Sequence, residues 1–198
     1  MTSVLVAALV LAEGPAYPVR GTPAKQPEAA RLIVESAKKQ AIDAATYDPS
    51  YVKLTYPGGD VAADRGVCTD VVIRALRAAG YDLQRLVRED MKKNFERYPR
   101  RGKKPDPNID HRRVPNQAAF FAAYGKTLTK SLDAKSLDEW KPGDIVWWKF
   151  DNGIDHIGIV VGGKGESGLP LCVHNLGPCR LEDVLGRWRI IAHYRYPK

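Results

Sequence analysis

The hydrophobic pattern changes its period once along the chain, near Trp140, and this change restricts the fold more than any other feature. Upstream, apolar residues recur every three or four positions. They include Leu32, Ile33, Ala37, Ala41 and Ala45 in residues 28–45, and Val71, Val72, Ala75, Leu76 and Ala79 after Cys68. A third set, Leu83, Leu86, Val87, Met91 and Phe95, follows Asp82 and ends before Pro99. Residues at this spacing share one face of a helix. A short helix is also expected over NQAAFFAAYG, with Asn116 as N-cap and Gly125 past its end. Downstream, residues alternate in pairs: a strand at about 144–150, then DHIGIVV, LPLCVHN and WRIIAHYRY. Asn152-Gly153 marks a hairpin turn between the first two strands. Helices followed by an antiparallel meander predict an α+β domain with the helices packed on one face of the sheet.

The 198 residues fit a single domain, placed at 28–198, preceded by a proline-punctuated linker at 17–27. Residues 4–12 are an apolar run ending in a small residue, like the core and cleavage region of a secretory signal. No Lys or Arg precedes that run. Despite that departure from the pattern, residues 1–16 are read as a signal segment, with Ala12 or Ala16 as the last residue removed, and the protein as periplasmic or secreted; the alternative is a plain apolar arm. No run approaches the ~20 apolar residues needed to span a bilayer, so no stable membrane insertion is expected after signal removal. The net charge of +8 favours anionic partners such as a cell-wall polymer. Residues 84–113 alone carry Lys/Arg at eleven positions against Asp/Glu at five, although such a face also serves simply to keep a protein soluble. No nucleic-acid motif accompanies the charge, so no nucleic-acid partner is expected.

Three cysteines leave at least one thiol unpaired within the chain. Cys172 and Cys179 either bridge across CVHNLGPC or are two small buried residues; both readings are open. There is no CxxC or HExxH pattern, so no metal is expected, and no organic cofactor is implied. Cys68 opens an amphipathic helix and lies on its buried stripe. The first turn of a helix offers unpaired N–H groups and a partial positive charge, which favour a thiolate and a developing oxyanion. The plain alternative is a small core residue. On DHIGIVV, His156, Gly158 and Val160 share one face, and Ile157, Ile159 and Val161 the other. With 162–168 as loop, residue 161 pairs with 169, and His156 falls opposite His174, with Cβ atoms about 4.5–5.5 Å apart. One histidine then serves as base and the other orients it; the alternative is two strand histidines satisfied by hydrogen bonds or solvent. Asp155 is expected on the opposite face from His156 and is not assigned a catalytic role. His193 is held in reserve for the orienting position. Trp147 and Trp148 should point to opposite faces.

The succession GVCTDVV, GDIVWW, DHIGIVV and VHN resembles the NlpC-type branch of the papain-like cysteine peptidases. More closely, YPGGDVAADRGVCTDVVIRALRAAGYDLQ, NIDHRRVPN, HIGIVV and HNLG resemble an exported bacterial family of unknown function related to these peptidases. The resemblance spans roughly residues 30–197. It implies a papain-like fold, with Cys68 as nucleophile, His156 as base and His174 as orienting residue. It also implies a cell-wall (peptidoglycan) peptide as substrate. The peptidases' usual Asp-Cys-Ser-Gly is Val67-Cys68-Thr69-Asp70 here, and Asp70 would oppose a thiolate if it pointed inward. In NIDHRRVPN, Arg112 and Arg113, with His111, are candidates to grip a substrate anion by paired donors, against a solvated or self-paired loop. Asp64 is a candidate for the cleft rim, against local pairing. The expected function is an exported cysteine hydrolase that cleaves an amide or peptide bond through a Cys68 acyl-enzyme. The alternatives are a non-catalytic module that binds cell-wall fragments, and a thiol-dependent acyltransferase or thioesterase.

Overall fold

The computed structural model describes residues 21–99 and 102–198. The expected signal segment and the start of the linker lie outside the described residues. The described end of that linker is docked on the domain. Ala24 is buried; its N–H donates to the Ala79 carbonyl, and its carbonyl accepts from the Tyr81 hydroxyl.

The elements in chain order are α1 (Glu28–Asp43), β1 (Thr46–Tyr47), β2 (Arg65–Gly66), α2 (Cys68–Ala78), α3 (Leu83–Met91), a 3-10 turn (Asp110–Arg112), α4 (Val114–Tyr124), β3 (Lys126–Thr127), β4 (Ile145–Lys149), β5 (Asp155–Gly162), β6 (Leu171–Asn175), β7 (Cys179–Glu182) and β8 (Arg189–Arg195). The described residues are thus mixed α+β, with four α-helices and an antiparallel six-stranded sheet in the order β3-β8-β4-β5-β6-β7. β1 and β2 form a separate parallel pair.

Several expected boundaries hold for physical reasons and others move. Asp82 caps α3, its carboxylate accepting the Gln84 N–H. Asn116 is not an N-cap. The helix begins two residues earlier, with Pro115 in its first turn, where a missing N–H costs nothing. Asn116 is instead buried and donates to the Asp110 carbonyl. Phe95 lies past the end of α3, in a separate single turn. β3 and β7 escaped the period-2 reading because they are short edge strands of two and four residues.

The helices cover one face of the sheet, where Ile145, Ile157, Ile159, Val173 and Tyr194 meet Val72, Leu76 and Phe121. Burying each such side chain contributes about 1.5–3 kcal/mol. Val146, Trp148, Val160 and Cys172 point to the other face, beneath Trp140, Val184 and Leu185. Trp147 and Trp148 therefore diverge, as alternation requires, with Trp148 fully buried and Trp147 half-buried against the helices. The same alternation sends Cys172 and Cys179 to opposite faces. Both are free and buried, so the bridge is excluded and the buried-residue reading holds.

The β5–β6 register differs from the expected one. Ile159 pairs with Val173 and Val160 with Cys172, and a bulge follows before Gly162 pairs with Leu171. His174 therefore falls across from Gly158, diagonal to His156. The shift is by two residues, so both imidazoles keep the same face. Gly158 makes the diagonal approach possible, because a Cβ there would lie 3.2 Å from the His174 Cβ and 2.9 Å from the Val173 carbonyl oxygen.

Candidate active site

Two buried arginines, which the sequence reading did not single out, fix the segment leading into α2. Arg74 and Arg77 both pair with Asp60, at 3.0 and 3.1 Å. They also donate to the carbonyls of Gly59, Val61, Ala62 and Arg65. The loop 59–66 is thereby held against the helix that carries the cysteine. Burial raises the Asp60 pKa, and the two guanidiniums oppose that rise.

The first turn of α2 is stapled to the 110–112 turn. The Asp70 carboxylate accepts the Val67 N–H at 2.7 Å, which is the acidic half of a capping box. Arg112 grips the same carboxylate through Nε and Nη2, each at 2.9 Å. The Thr69 hydroxyl donates to the Arg112 carbonyl, and Gln117 donates to the carbonyls of Thr69 and His111. Asp70 thus turns toward Arg112, but its charge still raises the pKa of the neighbouring thiol.

Cys68 packs with the helix-side core and is only 5% exposed. Burial, with Asp70 adding to it, pushes the thiol up to about 12. The N–H groups of Ile157, Thr69 and Cys68 are aimed at the sulfur and oppose that rise. The Ile157 N–H is available because the β5–β6 ladder begins only at the Ile159–Val173 pair. The cysteine forms part of an open cleft of about 270 Å³, whose lining includes Tyr47, Val67, Thr69, Arg112, Arg113 and Asp155.

On the opposite face of β5, His156 and His174 meet, with Nε2 of the first 3.0 Å from Nδ1 of the second. Nε2 of His174 lies 2.9 Å from a carboxylate oxygen of Glu182. A carboxylate only accepts, so His174 carries its proton on Nε2 and presents a lone pair at Nδ1. His156 must then donate from Nε2, which leaves its own Nδ1 an unprotonated base. Glu182 thus sets the tautomers of both rings. His156 is enclosed by Trp148, Phe150 and Trp188, with ring centroids 5.3–5.7 Å away. Burial, reinforced by His174, holds its pKa down at about 3. Burial also lowers His174, against the pull of Glu182.

The residues singled out from sequence are therefore sorted as follows. The two histidines come together. Cys68 touches β5 through the backbone of Ile157, one residue from His156, and no hydrogen bond joins thiol and imidazole. Arg112 lies in the wall of the cleft, but its side chain is 2% exposed and committed to Asp70. His111 is buried as well, and its Nδ1 has no partner; burial lowers its pKa to about 3. Asp64 is exposed, pairs with Arg65 at 3.3 Å and does not line the cleft. Arg113 is exposed and does line it. Asp155 lies on the cysteine's side of the strand, where it accepts from Trp147 at 3.0 Å and pairs with Lys149 at 3.2 Å. His193 is part of a separate buried group, bonded to Asp144 and to the Thr129 carbonyl and stacked on Trp140. Glu182 was missed because β7 was not recognised. A turn read at Gly177-Pro178 would have placed Glu182 beside Cys172, on the histidines' face. Among the described residues, no cluster of His, Cys, Asp and Glu is arranged to hold a metal ion, and no helix is long and apolar enough to cross a membrane.

Comparison with known families adds one decisive match: residues 34–196 fit the family described as a domain of unknown function (DUF1287). The chain belongs to the DUF1287 family. A relative in Escherichia coli (strain K12), the uncharacterized protein YijF, is 52% identical over 167 residues, covering 83% of this chain and 80% of the relative. No solved structure matches the chain. The DUF1287 match contains α2, β5, β6 and β7, so the cysteine, both histidines and Glu182 all lie inside the family's domain.

Proposed function

We propose that this DUF1287 protein is an exported thiol hydrolase that cleaves an amide bond in a cell-wall peptide, on a papain-like fold related to the NlpC-type peptidases. The observation that carries this reading is the chain Glu182–His174–His156. It fixes the tautomers so that Nδ1 of His156 keeps its lone pair, on the residue next to Ile157, whose backbone N–H lowers the Cys68 pKa, while the imidazole itself is buried on the other face of β5. Such a base, oriented by a third group, is what nucleophilic catalysis requires. In the proposed reaction, Nδ1 of His156 takes the thiol proton and Sγ bonds to the carbonyl carbon. The N–H groups at the start of α2 hold the oxyanion. The C–N bond breaks as the imidazolium returns the proton to the leaving amine. Water, deprotonated by His156, then cleaves the thioester and regenerates the thiol. At rest the thiol is protonated and lies on the other face of β5 from the imidazole, so the reaction requires a rearrangement at the start of β5 that brings Sγ to Nδ1, and this step is assigned to substrate binding.

The test is digestion of soluble muropeptides, followed by mass spectrometry. Turnover by the parent is expected, with loss of at least about a thousandfold in Cys68→Ala and His156→Ala and roughly tenfold in Glu182→Gln. Turnover that survives Cys68→Ala would overturn the assignment. A second reading has its own observation: a buried thiol with its pKa near 12 and no imidazole bond also suits a non-catalytic cleft. Muropeptide binding without turnover, unchanged in Cys68→Ala, would select that reading.

A further inference from the structure

The cleft over Cys68 does not end at its own walls. Arg113 and Ile109 also line a second open groove, of about 530 Å³, built by residues 102–110 and including Lys103 and Lys104. The two spaces meet at Arg113. Its guanidinium is exposed and enters no ion pair among the described residues, and the same holds for Lys103 and Lys104. The acids nearby are already engaged. Asp106 accepts from the Asn108 N–H at 2.8 Å and from the Tyr51 hydroxyl at 3.0 Å. Asp110 accepts from the Asp106 N–H at 2.6 Å. At the far end of the cleft, Asp155 is bonded to Trp147 and Lys149, and Asp70 is neutralised by Arg112. The groove thus sets Lys103, Lys104 and Arg113 against the carboxylates of Asp106 and Asp110, which bond only to neutral donors, and the cations are in excess.

We propose that this path binds an acidic peptide, with one carboxylate held by the fork of Arg113 beside the thiol and a second in the Lys103–Lys104 groove. The inference rests on, and deepens, the hydrolase reading by naming the substrate class. An exposed guanidinium is suited to bidentate capture of a carboxylate, and the excess of cations over carboxylates along the groove attracts an anion.

Two measurements test it. In the first, Cys68 is alkylated above pH 8.5 with neutral iodoacetamide or anionic iodoacetate, and its modification is quantified by peptide mapping. Arg113→Gln should slow iodoacetate by roughly three- to tenfold and leave iodoacetamide unchanged. The preference should vanish at 1 M salt, where the screening length is about 3 Å. An unchanged ratio, or equal slowing of both reagents, overturns the proposal. The ratio is read whether or not the thiol is catalytic, so failure of the anion site and failure of the hydrolase reading remain separate. In the second, triglutamate binding is followed by calorimetry, which does not need a reactive thiol. Affinity should fall in Arg113→Gln and again in Lys103→Gln/Lys104→Gln. Equal affinity in parent and variants overturns the proposal.

Discussion

Replacing Arg112 with methionine should unfold the protein at a markedly lower temperature, and not merely weaken a substrate contact. The Arg112 and Asp70 side chains are 2% and 3% exposed and share two hydrogen bonds of 2.9 Å. Arg112→Met leaves the Asp70 carboxylate buried with only the Val67 N–H as partner. Removing one member of a buried pair costs about 3–5 kcal/mol. At about 2–4 °C per kcal/mol for a domain of this size, Tm should drop by roughly 6–20 °C. The double variant Asp70→Asn/Arg112→Met, which removes both charges, should recover more than half of that loss. The assay is urea and thermal unfolding followed by circular dichroism on the parent, both single variants and the double variant. If Arg112→Met shifts Tm by less than about 2 °C, or if the two losses simply add, the pair is not the staple described here. Arg112 would then be free to bind substrate after all.

Three further outcomes follow from the same geometry. The pKa values of His111 and His156 both lie near 3, well below the ~6.5 expected when unfolded. Between those limits the unfolded chain binds the extra protons, so stability is complete above about pH 6.5 and falls as pH falls. The slope is up to about 1.4 kcal/mol per pH unit for each ring. His111→Phe should reduce that slope by up to about 1.4 kcal/mol per pH unit in urea unfolding measured from pH 6 to 4; an unaltered slope would refute the assignment. Gly158→Ala places a methyl 2.9 Å from the Val173 carbonyl oxygen and 3.0 Å from the Trp148 ring. It should cost about 1–3 kcal/mol and break the His156–His174 bond, visible as loss of its imidazole N–H resonance in NMR. A thiol count on denatured, unreduced protein should give three equivalents, since all three cysteines are free; a count of one would show a disulfide that this sheet does not accommodate.

Much of the scaffold was legible because burial imposes its own period. The stripe from Val71 to Ala79, the capping Asp82, and the alternation of β5 all follow from local rules, and each element lies close to where those rules put it. The pairing of His156 with His174 was reached with the wrong register, and it survived because an error of two residues preserves the face. Other features depended on partners remote in sequence. Nothing near Arg112 distinguishes it from Arg113, and both line the cleft, yet one guanidinium is sealed against Asp70 and the other is exposed. Arg74 and Arg77 read as the polar side of a helix until Asp60 folds over them.

By itself the sequence determined the class of fold, the helix that presents the cysteine, and the face shared by the two histidines, because periodicity and helix-end chemistry act over a few residues. Only the tertiary structure decided which charges are buried, that Glu182 anchors the histidine pair, and that the thiol rests against Ile157 and away from the imidazole. Those outcomes depend on strand register, on a bulge at the end of β5, and on the desolvation of groups 40 or more residues apart in the chain, such as Asp70 and Arg112.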